Sequence, residues 1–195
     1  MKEVPLGILG SGKGTNCRAI LESIRSGLVA AEVRVVISDV FDAPILDIAR
    51  EFSIPNAYLP PGRLRTRLEP QAEGNLVRML RDTGVELVIL AGFMRVLKSP
   101  MLDAFPRRIV NIHPSLLPKF PGLEAWKQAL VAGEKVTGCT VHYVDEKIDH
   151  GDVIAQREVP ILPNDTPENL HARMQIAEHE LYPAAINEVC RKLLD

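Results

Sequence analysis

Apolar and polar positions follow two rhythms along this chain. Val4–Leu9 is a short aliphatic run bounded by glycine, and it predicts a strand. After a glycine-rich loop, Cys17, Ile20, Leu21, Ile24 and Leu28 recur at three- to four-residue spacing, which predicts a helix with Gly27 near its end. The β-branched run 32–38 predicts a second strand. Pro44 then opens a helix over 44–52 from the favoured first-turn position, and 54–59 reads as a third, shorter strand. Pro60-Pro61-Gly62 interrupts the pattern, followed by an arginine-rich segment and a helix ending near Gly84. Residues 85–90 are the most apolar run, as expected of a central strand covered on both faces. A strand at 108–113, a proline-rich loop at 114–122 and a helix at 123–132 come next. The rhythm then changes. Two consecutive strands, 136–144 and 153–159, flank an acidic loop, and a long helical stretch from Pro167 closes the chain, with a break predicted at Pro183.

Strand–helix alternation predicts an α/β fold with a doubly wound, mostly parallel sheet; the late strand pair predicts an antiparallel addition, and the last helix closes it. At 195 residues the expectation is one domain over 1–195, enough to bury about 70% of the unfolded surface. With 46% hydrophobic and 25% charged residues the chain has a globular, not a disordered, composition. Its net charge of −2 provides no global field for nucleic acid, so an anionic ligand must be held by a local site. No apolar run approaches the ~20 residues of a spanning helix, and the N-terminal run is too short for a signal-peptide core. Cys17, Cys139 and Cys190 are odd in number and scattered, which predicts neither a disulfide framework nor a zinc pair. The five histidines lack ligand spacing such as H-x-x-x-H. The expectation is a reduced, cytoplasmic chain, a monomer or homodimer, with small-molecule partners, no nucleic acid, no membrane and no metal.

A glycine loop between a first strand and a first helix is where backbone amides and a helix N-terminus hold phosphate. Gly7 through Lys13 fits a Walker A loop until Gly14 stands where the hydroxyl belongs, and Thr15 occupies the last glycine position of a dinucleotide fingerprint. What survives is a small phosphate site: Gly12 and Gly14 for close approach, Thr15 and Asn16 for capping and hydrogen bonds. A plain tight turn with a capping Thr or Asn accounts for the same residues.

In Ile109-Val110-Asn111-Ile112-His113-Pro114-Ser115, period-two spacing sends Asn111 and His113 to one face of a central strand, near its carboxyl end. Open α/β sheets bind ligands at that edge. An amide beside an imidazole suits donation to an oxygen that becomes anionic as a carbonyl turns tetrahedral. Such a site needs a carboxylate as well, and Asp145, Glu146, Asp149 and Asp152 all crowd the later loop. Pattern alone does not choose among them. His142 on its strand reads as a supporting or core residue, His150 as solvated, His171 and His179 as helix-surface residues, and Trp126 as packing.

Leu90-Ala91-Gly92-Phe93-Met94-Arg95, Asn111-Ile112-His113-Pro114-Ser115-Leu116-Leu117-Pro118, and Val141-His142-Tyr143 running to Asp149-x-Gly151 resemble the phosphoribosylglycinamide formyltransferases, folate-dependent enzymes of purine synthesis. The loop Ser11-Gly12-Lys13-Gly14-Thr15-Asn16 and the late Glu178-His179-x-x-Tyr182-Pro183 extend the resemblance over essentially the whole chain. It implies a Rossmann-like formyltransferase fold, with a phosphate-binding half over 1–90 and a folate-binding and catalytic half over 91–195. The implied reaction passes the formyl group of 10-formyltetrahydrofolate to the amine of 5-phosphoribosylglycinamide. Asn111, His113 and Asp149 are the implied catalytic set. Gly12, Gly14, Thr15, Asn16, Cys17 and Arg18, with Gln175, Ile176, Ala177 and Glu178, would bind the ribonucleotide. Met94, Arg95, Val96 and Leu97, the loop of Asp145, Glu146, Lys147, Ile148 and Asp149, and Asn111 would hold the folate. Arg67 would serve the formyl-folate, with Arg63 and Arg65 as alternatives.

The chain departs from the family pattern at Lys13, at Glu124 and Trp126, and at His150-Gly151-Asp152, which stands where Gly-Gly-Pro is usual and resembles the methionyl-tRNA formyltransferases. A formyltetrahydrofolate hydrolase, or a phosphate-ligand module without chemistry, remains as an alternative reading.

Overall fold

The structure, a computed structural model, describes residues 2–195. One seven-stranded sheet organises it, in the order β3-β2-β1-β4-β5-β6-β7. Its strands are β1 (Val4–Leu9), β2 (Ala31–Ser38), β3 (Asn56–Tyr58), β4 (Leu87–Leu90), β5 (Ile109–His113), β6 (Val136–Tyr143) and β7 (Val153–Pro160). The first five run parallel and the last two are antiparallel. The helices are α1 (Thr15–Arg25), α2 (Pro44–Glu51), α3 (Pro70–Asp82), α4 (Ser99–Ala104), α5 (Ala125–Val131) and α6 (Pro167–Leu194). Among the described residues no helix is long and apolar enough to cross a membrane.

The two faces of the sheet build two apolar layers. Leu6 and Ile8 of β1 and Leu87 and Ile89 of β4 pack with α1, α2 and α6 residues. Leu9, Val88 and Leu90 point the other way, into a layer with Leu76 and Leu80 of α3 and Met101 of α4. Period-two alternation is therefore present, but both faces are apolar, which is why the strands read as continuous hydrophobic runs.

The mostly parallel α/β architecture with its antiparallel addition is as expected; several local features differ. Pro183 does not break α6, which runs through it as one 28-residue helix. The proline has no N–H for the carbonyl four residues back, but its flanks are anchored. The buried Tyr182 hydroxyl reaches the carbonyls of Leu90 (2.9 Å) and Val110 (3.0 Å), while Ala185, Ile186 and Val189 sit in the core. Tertiary packing outweighs the single lost bond. Leu28, assigned above to the apolar stripe of α1, lies beyond the helix and is 69% exposed. The α4 turn was not predicted, because six residues are too few to display helical periodicity. The third strand shortens from 54–59 to Asn56–Tyr58 as an edge strand with one partner.

Candidate active site

Asn111 and His113 leave the same face of β5. The antiparallel register sets His142 of β6 opposite Asn111 and Thr140 opposite His113. The loop after His113 is tied to this corner by the Thr140 hydroxyl, which donates to the Ser115 carbonyl (2.7 Å) and accepts from Leu117 N (3.0 Å) and Gln156 Nε2 (2.8 Å).

His113 is buried between two acceptors. Nδ1 lies 3.3 Å from Asp149 Oδ2, and Nε2 lies 2.9 Å from the Phe120 carbonyl. Both hydrogen bonds are satisfied together when the ring carries both protons. Asp149 Oδ2 also accepts from Gly122 N (2.8 Å). The aspartate holds a left-handed backbone (φ 51) that a side chain disfavours. The following turn locks it there: Gly151 packs so tightly that a Cβ would stand 1.9 Å from the Tyr143 carbonyl oxygen.

His142 fixes the other member of the trio. Its Nδ1 faces the Tyr143 carbonyl at 2.9 Å and must donate, which leaves Nε2 as an acceptor 3.3 Å from Asn111 Nδ2. The amide nitrogen of Asn111, not its oxygen, therefore faces His142, and its second hydrogen has no hydrogen-bond acceptor among the described residues. Burial pushes the His142 pKa down, against the pull of the Tyr143 carbonyl and Asp149, so the neutral, accepting form is favoured.

The glycine loop lies at the same sheet edge. Gly14 caps α1 at φ 74, where an added Cβ would meet Ile45 and Ile48 within 3 Å, and no side chain caps the helix. The first-turn amides of Thr15, Asn16 and Cys17 thus lack intrahelical acceptors, a ready anion site. Beside them, Asn16 Nδ2 donates to Glu178 Oε2 at 2.9 Å, while the buried Asn16 Oδ1 has no partner. Burial raises the Glu178 pKa, the Asn16 hydrogen bond only moderating it. Cys17 and Arg18 can offer only their backbones: the Cys17 thiol is in the core and pushed up to about 12 by burial, and the Arg18 guanidinium is bound at both nitrogens by Glu51. On α6, Glu178 points to Asn16, Ala177 is buried and Ile176 is exposed, so the helix presents Glu178 rather than the whole run Gln175–Glu178.

On the opposite flank, Met94 (59%) and Ile148 (60%) are exposed apolar side chains in the two loops expected to hold a folate, whereas Leu97 is buried in the core. Glu146 and Lys147 are exposed, and Asp145 is tied to Lys147 N (2.8 Å) and His150 (3.2 Å). Val96 N donates to the Thr66 carbonyl (2.9 Å), and Arg67 forms a bridge with Val96, which sets the arginine segment against this loop. The Arg95 guanidinium is turned inward: it pairs with buried Asp39 (2.6 Å) and donates to the Leu64 and Arg65 carbonyls (both 2.6 Å). Ser11 Oγ donates to the other Asp39 oxygen (2.5 Å) and accepts from Met94 N (2.8 Å), so one buried carboxylate links both loops. Asp39 and Ser11 were not singled out from sequence; the available signal was an acid one residue past the carboxyl end of β2. Among the described residues no group of three His, Cys, Asp or Glu side chains could hold a metal ion.

The formyl transferase family model matches residues 6–186. The chain is 46% identical to a solved structure named glycinamide ribonucleotide transformylase 1 from Symbiobacterium toebii, covering 98% of this chain and 89% of that one at a TM-score of 0.93. It is 41% identical to one named phosphoribosylglycinamide formyltransferase from Bacillus halodurans, covering 97% and 96% at a TM-score of 0.91. Among curated proteins it is 39% identical to the human trifunctional purine biosynthetic protein adenosine-3 over 188 residues, 96% of this chain but 18% of that protein. The Drosophila pseudoobscura pseudoobscura counterpart is 45% identical over 181 residues, 92% of this chain and 13% of that protein, so the chain spans less than a fifth of these relatives. On the match across the sheet, the β5 mouth and the closing helix, the chain belongs to the formyl transferase family, in its phosphoribosylglycinamide formyltransferase branch.

Proposed function

We propose that the chain transfers the formyl group of 10-formyltetrahydrofolate to the amine of 5-phosphoribosylglycinamide, giving the N-formyl product and tetrahydrofolate in purine biosynthesis. The observation that carries the choice of acceptor is the Asn16–Glu178 pair beside the uncapped start of α1. First-turn amides suit a phosphate, and a buried carboxylate next to an unpartnered amide oxygen suits an amine and hydroxyl donors. A hydrolase, whose acceptor is water, has no use for that pairing. In this reading Gly12, Gly14, Thr15 and Asn16 cradle the phosphate, and Glu178 orients the glycinamide end. Residues 1–90 then supply the phosphate cradle and 91–195 the folate cleft and catalytic set, with α6 lending Glu178 across the division.

The folate fits between Met94, Ile148 and the β5 mouth, with Arg67 at the rim, and it supplies the formyl group at the oxidation level the product keeps. Asn111 donates its open amide hydrogen to the formyl oxygen as negative charge develops, and the doubly protonated His113 ring adds positive charge beside it. Asp149 keeps that ring charged and oriented; it also takes the proton lost by the attacking nitrogen and returns it toward the leaving nitrogen. Both ends of the proton's path lie at one carboxylate, already fixed by Gly122 N.

The test mixes the protein with 10-formyl-5,8-dideazafolate and the ribonucleotide and follows deformylation by absorbance, beside His113→Ala and Asp149→Asn. Turnover that requires the ribonucleotide and collapses in both variants is expected. Deformylation without ribonucleotide would identify the hydrolase, and ribonucleotide binding without turnover the non-catalytic module.

A further inference from the structure

Arg107 stands in the turn that leads into β5 and holds a left-handed backbone (φ 55). Glycine adopts that conformation freely, whereas a long side chain there is strained. The turn closes through backbone atoms alone, Arg108 N donating to the Phe105 carbonyl (3.0 Å), so its geometry does not call for an arginine. What the side chain reaches accounts for it. Nη1 lies 2.7 Å from Asp152 Oδ2, and the guanidinium carbon stands 5.1 Å from the centre of the Tyr143 ring.

Those two partners mark the neck of a loop. Tyr143 ends β6 and Asp152 immediately precedes β7, with residues 144–151 between them. At the neck Tyr143 N donates to the Asp152 carbonyl (2.9 Å), and Val144 N donates to the Ile109 carbonyl at the start of β5 (2.9 Å). Gly151 packs against the Tyr143 carbonyl. Arg107 adds a side-chain closure that joins all three strands. Asp149 lies within this loop, three residues before Asp152 and itself left-handed (φ 51). A strained residue keeps its place only where its surroundings over-determine it. Gly122 N and His113 fix the Asp149 carboxylate, and the neck fixes the backbone behind it.

We infer that Arg107 is a positioning residue for formyl transfer: by clamping Asp152 over the Tyr143 ring it closes the neck of the loop and keeps the Asp149 carboxylate against His113. The inference rests on the proton-handling role proposed for Asp149. Arg107 and Asp152 are both largely exposed, so their ion pair is screened and contributes about two- to fivefold. A cation over an aromatic ring at the surface adds a similar factor. Together they favour the loop with Asp149 in place by about tenfold.

The experiment uses Arg107→Gly, which deletes the clamp and relieves the strain of the turn in one step. Steady-state kinetics with 10-formyl-5,8-dideazafolate and the ribonucleotide, together with thermal unfolding, compare it with the wild type, Asp152→Asn, the double variant and Arg107→Lys. The control is Arg34→Gln, which breaks the exposed Arg34–Glu32 pair on β2. In Arg107→Gly, kcat is expected to fall about five- to tenfold, with the ribonucleotide KM within twofold and the melting temperature at or above that of the wild type. Asp152→Asn should lose about two- to fivefold, and the double variant no more than Arg107→Gly, because both changes remove one device. Arg107→Lys keeps a charge beside Asp152 and should recover part of the loss, while the control keeps the wild-type kcat. An unchanged kcat in Arg107→Gly, a loss accompanied by a lower melting temperature, a loss confined to either KM, no recovery in Arg107→Lys, or an equal loss in the control would overturn the inference and leave the proposed reaction standing. Absence of ribonucleotide-dependent turnover in the wild type would instead overturn the proposed reaction, and the inference with it.

Discussion

Two regions at the carboxyl edge of the sheet bury ionisable groups, and they do so in opposite ways. At the mouth of β5 every such group is matched within the protein: His113 lies between Asp149 and the Phe120 carbonyl, and His142 between Asn111 and the Tyr143 carbonyl. At the start of α1 the matching is left incomplete. Glu178 has one neutral partner, Asn16 Oδ1 has none, and the helix is uncapped. Internal pairing holds donors where charge will develop, so the first region is organised for chemistry. An unmatched buried group carries a desolvation cost that a ligand relieves, so the second is organised for binding.

Breaking the matched region should give the largest effect. His113→Ala removes both the ring charge and the partner of Asp149, and kcat is expected to fall about 10²–10³-fold with the ribonucleotide KM nearly unchanged. Steady-state kinetics separate the two parameters; a variant whose loss lay wholly in KM would place His113 with the binding groups instead.

Glu178→Gln attacks the unmatched region and should show the reverse signature. The ribonucleotide KM rises about 10- to 100-fold, the range of a charge-assisted hydrogen bond, while the folate KM is unmoved. Stability should change in the opposite direction from activity. Burial raises the folded-state pKa of Glu178, so the folded chain keeps that proton to a higher pH than the unfolded chain does. Stability is therefore greatest below the ordinary carboxyl range and declines as pH rises toward the folded value, so burial of this group makes the fold less stable at neutral pH than in acid. Glutamine cannot ionise. The variant should melt higher than the wild type at pH 7, and the difference should shrink toward pH 4. Thermal unfolding at the two pH values checks this.

A sequence shows the first kind of region more readily than the second. Asn111 and His113 stand out because two polar residues at period two interrupt an apolar strand, and the strand–helix rhythm yields the parallel sheet that points them at a ligand edge. Asp149 emerged only through resemblance, since four acids share its loop and their backbone angles are not written in their identities. Cys17, Arg18 and Ala177 look equivalent to Asn16 and Glu178 along the chain, but helix phase sends Cys17 and Ala177 into the core and Arg18 to Glu51. Pro183 misleads for a related reason: a local rule gives way to long-range anchors that no short window contains.

His142 tests the matched region more gently. Its neutral Nε2 accepts from Asn111 and so selects the amide orientation that leaves the second hydrogen unpaired. His142→Leu should lower kcat about tenfold, and His142→Gln, which retains an acceptor, should recover most of the loss. Burial lowers the folded-state pKa of His142, so the unfolded chain takes up its proton first as pH falls through the ordinary histidine range. Stability drawn from the neutral ring is present above that range and lost below it. Once protonated, Nε2 turns from acceptor to donor and releases Asn111. The acid limb of the kcat profile should therefore move in His142→Gln, and a limb unchanged in that variant would assign it to another group.

The smallest effect is expected where the regions meet. Ser11 belongs to the glycine loop, yet its hydroxyl accepts from Met94 N on the loop proposed to hold the folate while donating to Asp39, which Arg95 holds in turn. Ser11→Ala leaves the Asp39–Arg95 pair in place and deletes only the bridge, so each loop loses one restraint without losing a charge. A hydrogen bond of this kind contributes about 1 kcal/mol, which corresponds to KM increases of about three- to fivefold. They should appear for both substrates at once, because the same hydroxyl restrains both loops, with kcat held since nothing at β5 is touched. A rise confined to the ribonucleotide would mean that Met94 N is held adequately by the rest of its loop, and that the two regions are fixed independently.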